Sequence, residues 1–488
     1  MTALHPSEAD AAIRLGEALA GAMSQAIGAT TGAATVVAAT VAVPAVDPIS
    51  LFAAAAEAGL EAALWLRPSE GTALVGIGRA WAIEGEGRNR FQEAEAAFRE
   101  LMAGARLERP AARGPARGSG PLLIGGLGFW GRRPEASDPW APFGPSSLVL
   151  PSLSLSTTPD GSWLTGSAPD GEPGRDQAHR LERLWERLVT RAHAIEPGPG
   201  GIVARPVVAP LTVERSQPGQ DAWSRIVGMY AGAVGRGRID KVVLARRVDL
   251  RSQVELDVPN ALRRLAASAP ESTIYAFRRD SRTFLGATPE RLVRTEGRAF
   301  RTAAVAGTIR RGADPAEDAA LAAELMASDK NREEQRIVVS AIRDLLTPIA
   351  ETLEVAPRPA IMTLRFAQHL VTEISGTLPP DHGLLSVAAL LHPTPAVGGE
   401  PRESALAMME ENEGFDRGWY AGPVGWLGVD GDGELCVALR CGIVDRTRAS
   451  LFAGCGIVAD SDPDQEWEES RIKLRAVISA LGMPGDDR

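Results

Sequence analysis

The sequence predicts an α+β protein, in which strands pair in antiparallel hairpins and the helices pack separately against them. One hairpin is indicated by the turn from Asp430 to Gly433, which joins two strand-like segments at 420–429 and 434–444. The 488 residues include 44% hydrophobic residues, enough to bury a large core. Strands and helices do not alternate regularly along the chain, and this order disfavours a doubly wound parallel sheet.

The other elements are predicted from hydrophobic periodicity. A short helix precedes a strand at about 35–43, and the first half continues with strands at 73–77, 122–129 and 147–155 and an amphipathic helix at about 176–195. The second half contains a helix from about residue 223, strands at 241–250, 272–277 and 283–286, and a long helical tract at 314–349. The sequence has no internal repeat of fixed period, so a repeat protein is excluded.

Composition excludes several classes of protein. The formal net charge of -10 and the absence of a long Lys/Arg cluster argue against nucleic acid as a partner, because phosphate neutralisation requires a basic surface. The charge-free stretch at 18–46 lacks the large apolar residues that favour membrane insertion, and no basic segment precedes it as in a signal peptide. The three cysteines lack the spacing of a metal site. We therefore expect a cytoplasmic protein with no membrane partner.

The segment 451–474 contains the outline of a site for a metal and an anion. Asp462 is a candidate N-cap and Pro463 suits the first helical position, so we expect a helix to begin there. Glu466, Glu469 and Lys473 then follow at i, i+3 and i+7 on one face. Two carboxylates suit a hard cation such as Mg²⁺, and the two glycines before the helix would let backbone N–H groups approach an anion. A solvated acidic face is the alternative interpretation.

Nine segments, in this order, carry a recognisable set of motifs. They are KVVLARRV at 241–248, FLGATPERLV at 284–293, AVAGTIRRG at 304–312, SDKNREEQ at 328–335, QHLVTEISGTL at 368–378, LHPTPAVGGEPRESAL at 391–406, FDRGWYAGPVGW at 415–426, GDGELCVALR at 431–440, and the segment 451–474. Together they resemble the chorismate-utilising enzyme family, and more closely its isochorismate synthases of the menaquinone or siderophore type.

The resemblance implies a chorismate-binding-enzyme fold, with large antiparallel sheets packed with helices in a single compact unit. Residues 221–480 would form the chorismate-binding catalytic core, and residues 1–220 an N-terminal part that completes the same fold. Isochorismate synthases add water at C2 of chorismate and release the C4 hydroxyl, while Mg²⁺ holds the ring carboxylate. The resemblance therefore implies chorismate as the substrate and Mg²⁺ as the cofactor.

Catalytic and metal-binding roles carry over residue by residue. Lys241 matches the family's general base, which takes a proton from the attacking water, and Glu290 matches the general acid, which protonates the departing hydroxyl. Acid catalysis at neutral pH requires a carboxyl pKa raised by burial. Glu334 and Glu469 match the two magnesium ligands, and Glu466 is expected to hold metal-bound water. Without the resemblance, Lys241 and Glu290 would be interpreted as solvent-facing residues.

Substrate-binding roles carry over in the same way. Tyr420 and Arg440 match the residues that bind the pyruvyl carboxylate, a role that suits arginine because its planar fork can bond both oxygens. Lys473 matches another residue that faces a carboxylate. The other matches to substrate-binding or pocket-lining positions are Gly307, Thr308, His369, Thr394, Gly454 and Gly456. As isolated residues, a core histidine and a buried threonine would be the alternatives.

Several functions remain open from the sequence. Lys241 predicts water rather than ammonia as the nucleophile, so no glutamine amidotransferase subunit is expected. Asn331 and Gln335 depart from many relatives, which carry an acidic residue and a histidine there, and Asn331 with the NREEQ pattern favours a plain isochorismate synthase over a salicylate synthase. Cys455 replaces a common alanine. A non-catalytic chorismate-binding protein is the alternative of another class, and the pathway that uses the product is not determined.

Overall fold

The computed structural model describes residues 6–26, 36–108, 117–169, 174–196, 211–363 and 367–482. In these ranges the chain forms eleven α-helices and two large, mostly antiparallel sheets. The helices are α1 (Pro6–Ala26), α2 (Pro48–Glu57), α3 (Arg90–Ala103), α4 (Gly174–Ile195), α5 (Gln220–Gly235), α6 (Val258–Ser268), α7 (Pro315–Ala327), α8 (Asp329–Leu346), α9 (Leu384–Leu391), α10 (Arg402–Asn412) and α11 (Pro463–Ala480).

The strands of the first half are β1 (Val36–Val43), β2 (Ala62–Arg67), β3 (Thr72–Ile77), β4 (Trp81–Ile83), β5 (Arg106–Glu108), β6 (Leu122–Leu127), β7 (Ser146–Leu150), β8 (Leu153–Thr158), β9 (Gly161–Pro169) and β10 (Thr212–Gln217). Those of the second half are β11 (Lys241–Arg251), β12 (Thr273–Arg279), β13 (Arg282–Thr288), β14 (Arg291–Glu296), β15 (Ala299–Arg310), β16 (Thr352–Val355), β17 (Ala360–Thr363), β18 (Ala367–Thr377), β19 (Gly399–Glu400), β20 (Pro423–Gly428), β21 (Gly433–Val437), β22 (Cys441–Asp445) and β23 (Arg448–Ile457).

Both sheets combine strands from before and after residue 220. The thirteen-stranded sheet has the order β10-β11-β23-β22-β13-β12-β2-β3-β8-β9-β1-β5, with β19 paired to β11. The ten-stranded sheet has the order β16-β18-β15-β14-β21-β20-β6-β7-β4, with β17 paired to β18. The pairs β12–β2 and β20–β6 join early and late parts of the chain, so the two parts form one folded unit, as the family resemblance implied.

The larger hydrophobic core contains side chains from both sheets. Its aromatic centre is Trp419, whose ring meets Phe143 and Phe277 edge-on at centroid distances of 5.4 and 5.5 Å. Gly418 precedes this tryptophan with a φ of +52°, and a Cβ there would lie 2.1 Å from the Trp140 ring. Only glycine combines that backbone conformation with so close an approach. This packing fixes the segment that carries Tyr420.

Three predicted elements differ from those observed. The tract at 314–349 is two helices, because the chain leaves helical geometry at Ser328, whose Oγ then caps α8 by accepting from the Asn331 N–H at 3.3 Å. The strand at 147–155 is broken at Pro151, which separates β7 from β8. The strand at 434–444 is interrupted at Arg440, where φ is +49°. Along the described stretches no helix is long and apolar enough to cross a membrane.

Candidate active site

A cavity of about 220 Å³ lies where the two sheets approach each other. Its walls come from β11 and β23 of the larger sheet, from β15 and β18 of the smaller sheet, and from α8 and α11. Among its lining residues are Lys241, Glu290, Gly307, Thr308, Glu334, His369, Tyr420, Arg440, Gly454, Gly456, Glu466, Glu469 and Lys473. The structure thus brings together every site residue predicted from the sequence except Thr394.

Thr394 does not line this cavity. It is buried in the loop between α9 and β19, and its hydroxyl has no hydrogen-bond partner among the described residues. Ala396 and Val397 of the same loop do reach the cavity. Thr394 therefore lies behind the wall rather than in it.

Lys241 occupies the first position of β11 and is only 4% exposed. Its Nζ donates to Glu334 Oε1 at 2.6 Å. The side chain passes over Gly456, where a Cβ would lie 2.5 Å from Lys241 Cε. The glycine is therefore required to make room for the lysine, a reason additional to the anion contact expected from the sequence.

Glu290 lies between β13 and β14, on a segment held by Thr288. The Thr288 hydroxyl donates to Val437 O at 2.6 Å and accepts from the Glu290 N–H at 3.2 Å. Burial raises the pKa of the Glu290 carboxyl to about 7, although the nearby charges of Lys241, Arg440 and Lys473 act in the opposite direction. This carboxyl is thus placed to carry a proton near neutral pH.

The acidic group of the site consists of Glu334 on α8 with Glu466 and Glu469 on α11. Burial alone would raise the pKa of Glu334, but Lys241 outweighs it and the pKa is lowered. The pKa of Glu469 is lowered chiefly by Lys473, whose Nζ lies 2.6 Å from Glu469 Oε1. These two groups are therefore carboxylates at neutral pH.

Glu466 has a different environment from the other two carboxyls. Its Oε1 accepts from Ser461 Oγ at 2.8 Å, and its pKa is raised by burial and then by the negative charge of Glu469. Ligand atoms of Glu466, Glu469 and Cys455 lie within 4.8 Å of one another. A hard divalent cation would relieve the repulsion between these two carboxyls, and carboxylate oxygens are ligands that suit Mg²⁺. Glu334 also lines the cavity but is not part of this group of ligand atoms. The buried thiol of Cys455 instead donates to the backbone carbonyl of Glu466 at 3.2 Å.

Beside the acidic group, Tyr420, Arg440 and Lys473 form a polar and cationic part of the cavity lining. The Tyr420 ring stacks on Phe452 at 5.4 Å. Burial works to lower the pKa of Lys473, but the neighbouring Glu469 carboxylate outweighs it and raises the pKa. Lys473 Nζ also donates to Gly454 O at 2.8 Å, and a Cβ on Gly454 would lie 2.9 Å from the Tyr420 hydroxyl. The left-handed backbone at Arg440 costs energy and is typical of a functional position.

His369 and Thr308 form a hydrogen-bonded pair on the third wall. Thr308 Oγ1 and His369 Nδ1 are 2.9 Å apart, and the Thr308 N–H donates to Asn331 Oδ1 at 3.3 Å beside a bulge at Gly307. Burial, assisted by Arg440 and Lys473, lowers the pKa of His369 to about 4. The imidazole is therefore neutral at pH 7 and acts as a hydrogen-bonding group.

The two residues that differ from many relatives, Asn331 and Gln335, occupy different positions relative to the cavity. Asn331 lines the cavity, whereas Gln335 is buried behind it and donates from Nε2 to Ala304 O at 3.0 Å and to Thr372 Oγ1 at 2.9 Å. Lys330 also lines the cavity and was not predicted. It lies four residues before Glu334, and that helical spacing within the SDKNREEQ motif could have identified it.

Comparisons with known proteins agree with this geometry. A family model described as "Chorismate binding enzyme" matches residues 21–482. The salicylate biosynthesis isochorismate synthase of Pseudomonas aeruginosa is 36% identical over 440 residues, covering 90% of this chain and 89% of that protein. The isochorismate synthase MenF of Bacillus subtilis is 32% identical over 370 residues, covering 74% and 75%. Both alignments cover most of the chain and therefore extend into its first half, where few motifs were recognisable.

A solved structure gives the same result for the fold. The menaquinone-specific isochorismate synthase MenF from Escherichia coli superposes with a TM-score of 0.75 at 25% identity, covering 96% of this chain and 100% of that one. The fold expected from the sequence motifs is thereby confirmed. From the family match and these relatives we conclude that the chain belongs to the chorismate binding enzyme family.

Proposed function

We propose that this protein is an isochorismate synthase that converts chorismate to isochorismate by adding water at C2 and releasing the C4 hydroxyl. The observation that carries the proposal is the pairing, in one cavity, of a buried lysine amine with a carboxyl whose pKa is about 7. An addition at one ring carbon coupled to a departure at another needs a base and an acid, and Lys241 and Glu290 supply these two functions.

In this mechanism Lys241 Nζ accepts a proton from the water that attacks C2. Glu290 donates its proton to the C4 oxygen, so the hydroxyl leaves as water while the ring double bonds rearrange. The proton gained by Lys241 and the proton lost by Glu290 balance over the reaction. Because Nζ is bonded to Glu334 Oε1, it must leave that carboxylate before it can act as the base.

The charges of the cavity support a dianionic substrate and a divalent cation. With Lys241 in the neutral amine form that a base requires, the basic side chains of Lys330, Arg440 and Lys473 face the three carboxyls that remain when Glu290 is protonated. Glu334 and Glu469 would hold Mg²⁺, and Glu466 would support its water. When bound, the metal would neutralise the ring carboxylate and orient the substrate. Tyr420, Arg440 and Lys473 would bind the second carboxylate.

The same residues would serve a salicylate synthase, which goes on to eliminate pyruvate. Asn331 lines the cavity as a neutral amide that acts as neither an acid nor a base, and it favours the simpler reaction. Water as the nucleophile requires no glutamine amidotransferase subunit. We place the reaction in the cytoplasm, a setting supported by the three cysteines, which are buried and free.

The test is to incubate the purified protein with chorismate and Mg²⁺ and to separate the products. Isochorismate alone supports the proposal, and salicylate with pyruvate would replace it by the salicylate synthase. If the chorismate is unchanged, the alternative of a non-catalytic chorismate-binding protein is favoured. Lys241→Ala should abolish turnover and leave chorismate binding within a few fold of wild type. If this variant retains near-normal activity, Lys241 is not the base.

A further inference from the structure

An ion pair between Glu413 and Arg417 is buried behind the cavity. The side chains are 2% and 0% exposed, and neither residue lines the cavity. Arg417 Nε donates to Glu413 Oε2 at 2.8 Å, and Nη2 donates to Glu413 Oε1. Few ion pairs are so completely removed from water, because desolvating two charges is expensive unless every group finds a partner.

The remaining donors of Arg417 bind the backbone of two cavity walls. Nη1 donates to Val397 O at 2.9 Å and Nη2 donates to Val243 O at 3.0 Å. Both Val243 and Val397 line the cavity, and Val243 lies two residues after Lys241 on β11. Glu413 adds a second bond to this strand by accepting from the Ala245 N–H at 2.9 Å. The pair therefore fixes the strand that begins with the proposed base.

The same pair also reaches the substrate wall. The Tyr420 N–H donates to Arg417 O at 2.9 Å, and the guanidinium lies 5.8 Å from the centre of the Tyr420 ring. On its other side it faces the Phe129 ring at 4.5 Å. The guanidinium is thus hydrogen-bonded to the base strand and to the loop that carries Val397, and it lies beside the ring of the tyrosine proposed to bind the substrate carboxylate.

We propose that Glu413 and Arg417 are positioning residues, which set the separation between Lys241 and Tyr420 and so match the site to its substrate. An apolar pair of equal volume can replace a buried ion pair with little loss of stability, so the hydrogen bonds to the backbone of two cavity walls are the distinguishing feature of this one. A lysine cannot reproduce them, because its ammonium lacks the planar fork of five donors. The role in substrate matching rests on the proposed function, whereas the ordering of the two walls does not.

The test compares Arg417→Lys and Glu413→Gln with wild type. Arg279→Lys is the matched control, because Arg279 is 4% exposed, pairs with Glu61 at 3.3 Å, and lies at the end of β12 away from the cavity. Hydrogen exchange is measured on peptides that cover 241–248 and 418–424. We expect exchange to accelerate at least tenfold in both peptides for the two test variants, and to remain near wild type for the control.

Kinetics with chorismate provide the second measurement. A displacement of about 1 Å can cost about 100-fold in rate, so kcat/KM should fall by about that factor, with KM raised as well as kcat lowered. A variant that merely loses folded protein has a lower apparent kcat and an unchanged KM. Glu413→Gln keeps the size of the side chain, so this variant tests the positioning role if Arg417→Lys does not fold.

The outcomes are distinguishable. Exchange within twofold of wild type in both peptides, or an unchanged KM in an active variant, would overturn the positioning role. If wild type itself does not convert chorismate, the proposed function fails. In that case the exchange measurement alone decides whether the pair orders the two walls.

Discussion

Two sides of one cavity hold carboxyls in opposite electrostatic states. On one side, Glu290 is partly buried with no hydrogen bond to its carboxyl from the described part of the chain, and desolvation raises its pKa to about 7. On the other side, Glu334 and Glu469 each have a lysine nitrogen at 2.6 Å, and their pKa values are lowered. The same functional group thus serves as a proton donor on one side and as a permanent anion on the other.

The difference teaches how the site assigns roles to similar residues. Burial of a carboxyl group without a hydrogen-bonded cation stabilises its protonated form, whereas a hydrogen-bonded ammonium stabilises the carboxylate. Pairs of titratable groups whose environments separate their pKa values commonly identify the acid of a reaction. This contrast distinguishes Glu290 from the carboxylates proposed to bind Mg²⁺, and each prediction below tests one side of it.

The largest effect is expected from Glu290→Gln, which keeps the size of the side chain and removes the proton. A general acid contributes about 10²- to 10⁴-fold, so kcat should fall within that range. Glu296→Gln is the control, because Glu296 ends β14, the strand that begins just after Glu290, and is half exposed. Steady-state assays of isochorismate formation provide the measurement, and a loss of less than tenfold would remove Glu290 from the acid role.

The opposite side is tested by Glu469→Ala, which removes one of the two carboxylates proposed to bind the metal. We expect the Mg²⁺ concentration for half-maximal activity to rise on the order of 10- to 100-fold. Glu468→Ala is a matched control on the same helix, because Glu468 pairs with Arg471 at the surface. Direct binding of Mn²⁺, followed by electron paramagnetic resonance, gives a measurement independent of activity. Full activity after dialysis against a chelator would contradict the metal assignment.

The pH dependence of kcat tests the protonated state of Glu290. The acid must carry its proton, and the protonated fraction decreases as pH rises through a pKa of about 7. We therefore expect kcat to decline above about pH 7 and to approach a tenfold loss per pH unit. The bonded carboxylates Glu334 and Glu469 have lowered pKa values and contribute no change in this window. A flat profile between pH 7 and 9 would contradict the assignment.

Local sequence patterns predicted the carboxylates on α11 better than the environment of Glu290. The cap at Asp462 is confirmed, since its carboxylate accepts from the N–H groups of Asp464 and Gln465, and helical spacing then places Glu466, Glu469 and Lys473 on one face. The meeting of this helix with Glu334 is a tertiary contact, and only the family resemblance indicated it.

The state of Glu290 could not be derived from local pattern, because its pKa depends on burial by distant segments. The break at Arg440 was missed for a similar reason, since its left-handed backbone lies inside a segment of strand-like composition. Arg417 lies within the motif FDRGWYAGPVGW, yet that sequence does not show which backbone carbonyls the arginine side chain would bind. Patterns predict elements, whereas the partners of a buried charge depend on the whole fold.

The smallest expected effect concerns stability, and it follows from the same raised pKa. Between the ordinary value of 4.5 and about 7, the native protein holds the Glu290 proton that the unfolded chain has released. Stability therefore decreases as pH rises through this window, because the native state then binds more protons than the unfolded state. Each pH unit corresponds to about 1.4 kcal/mol, so the cost is at most about 3.5 kcal/mol at pH 8, and less where cavity water reaches the carboxyl.

Glu290→Gln should remove that cost, since the amide is never charged. The variant should match wild type near pH 4.5 and exceed its free energy of unfolding by about 1 to 3 kcal/mol at pH 8. Denaturant unfolding at the two pH values measures the difference, and Glu296→Gln again serves as the control. A variant that is inactive and yet more stable at pH 8 would show that the cavity holds a buried acid at the expense of stability. Equal pH dependence in the variant and wild type would show that solvent, rather than burial, sets the state of Glu290.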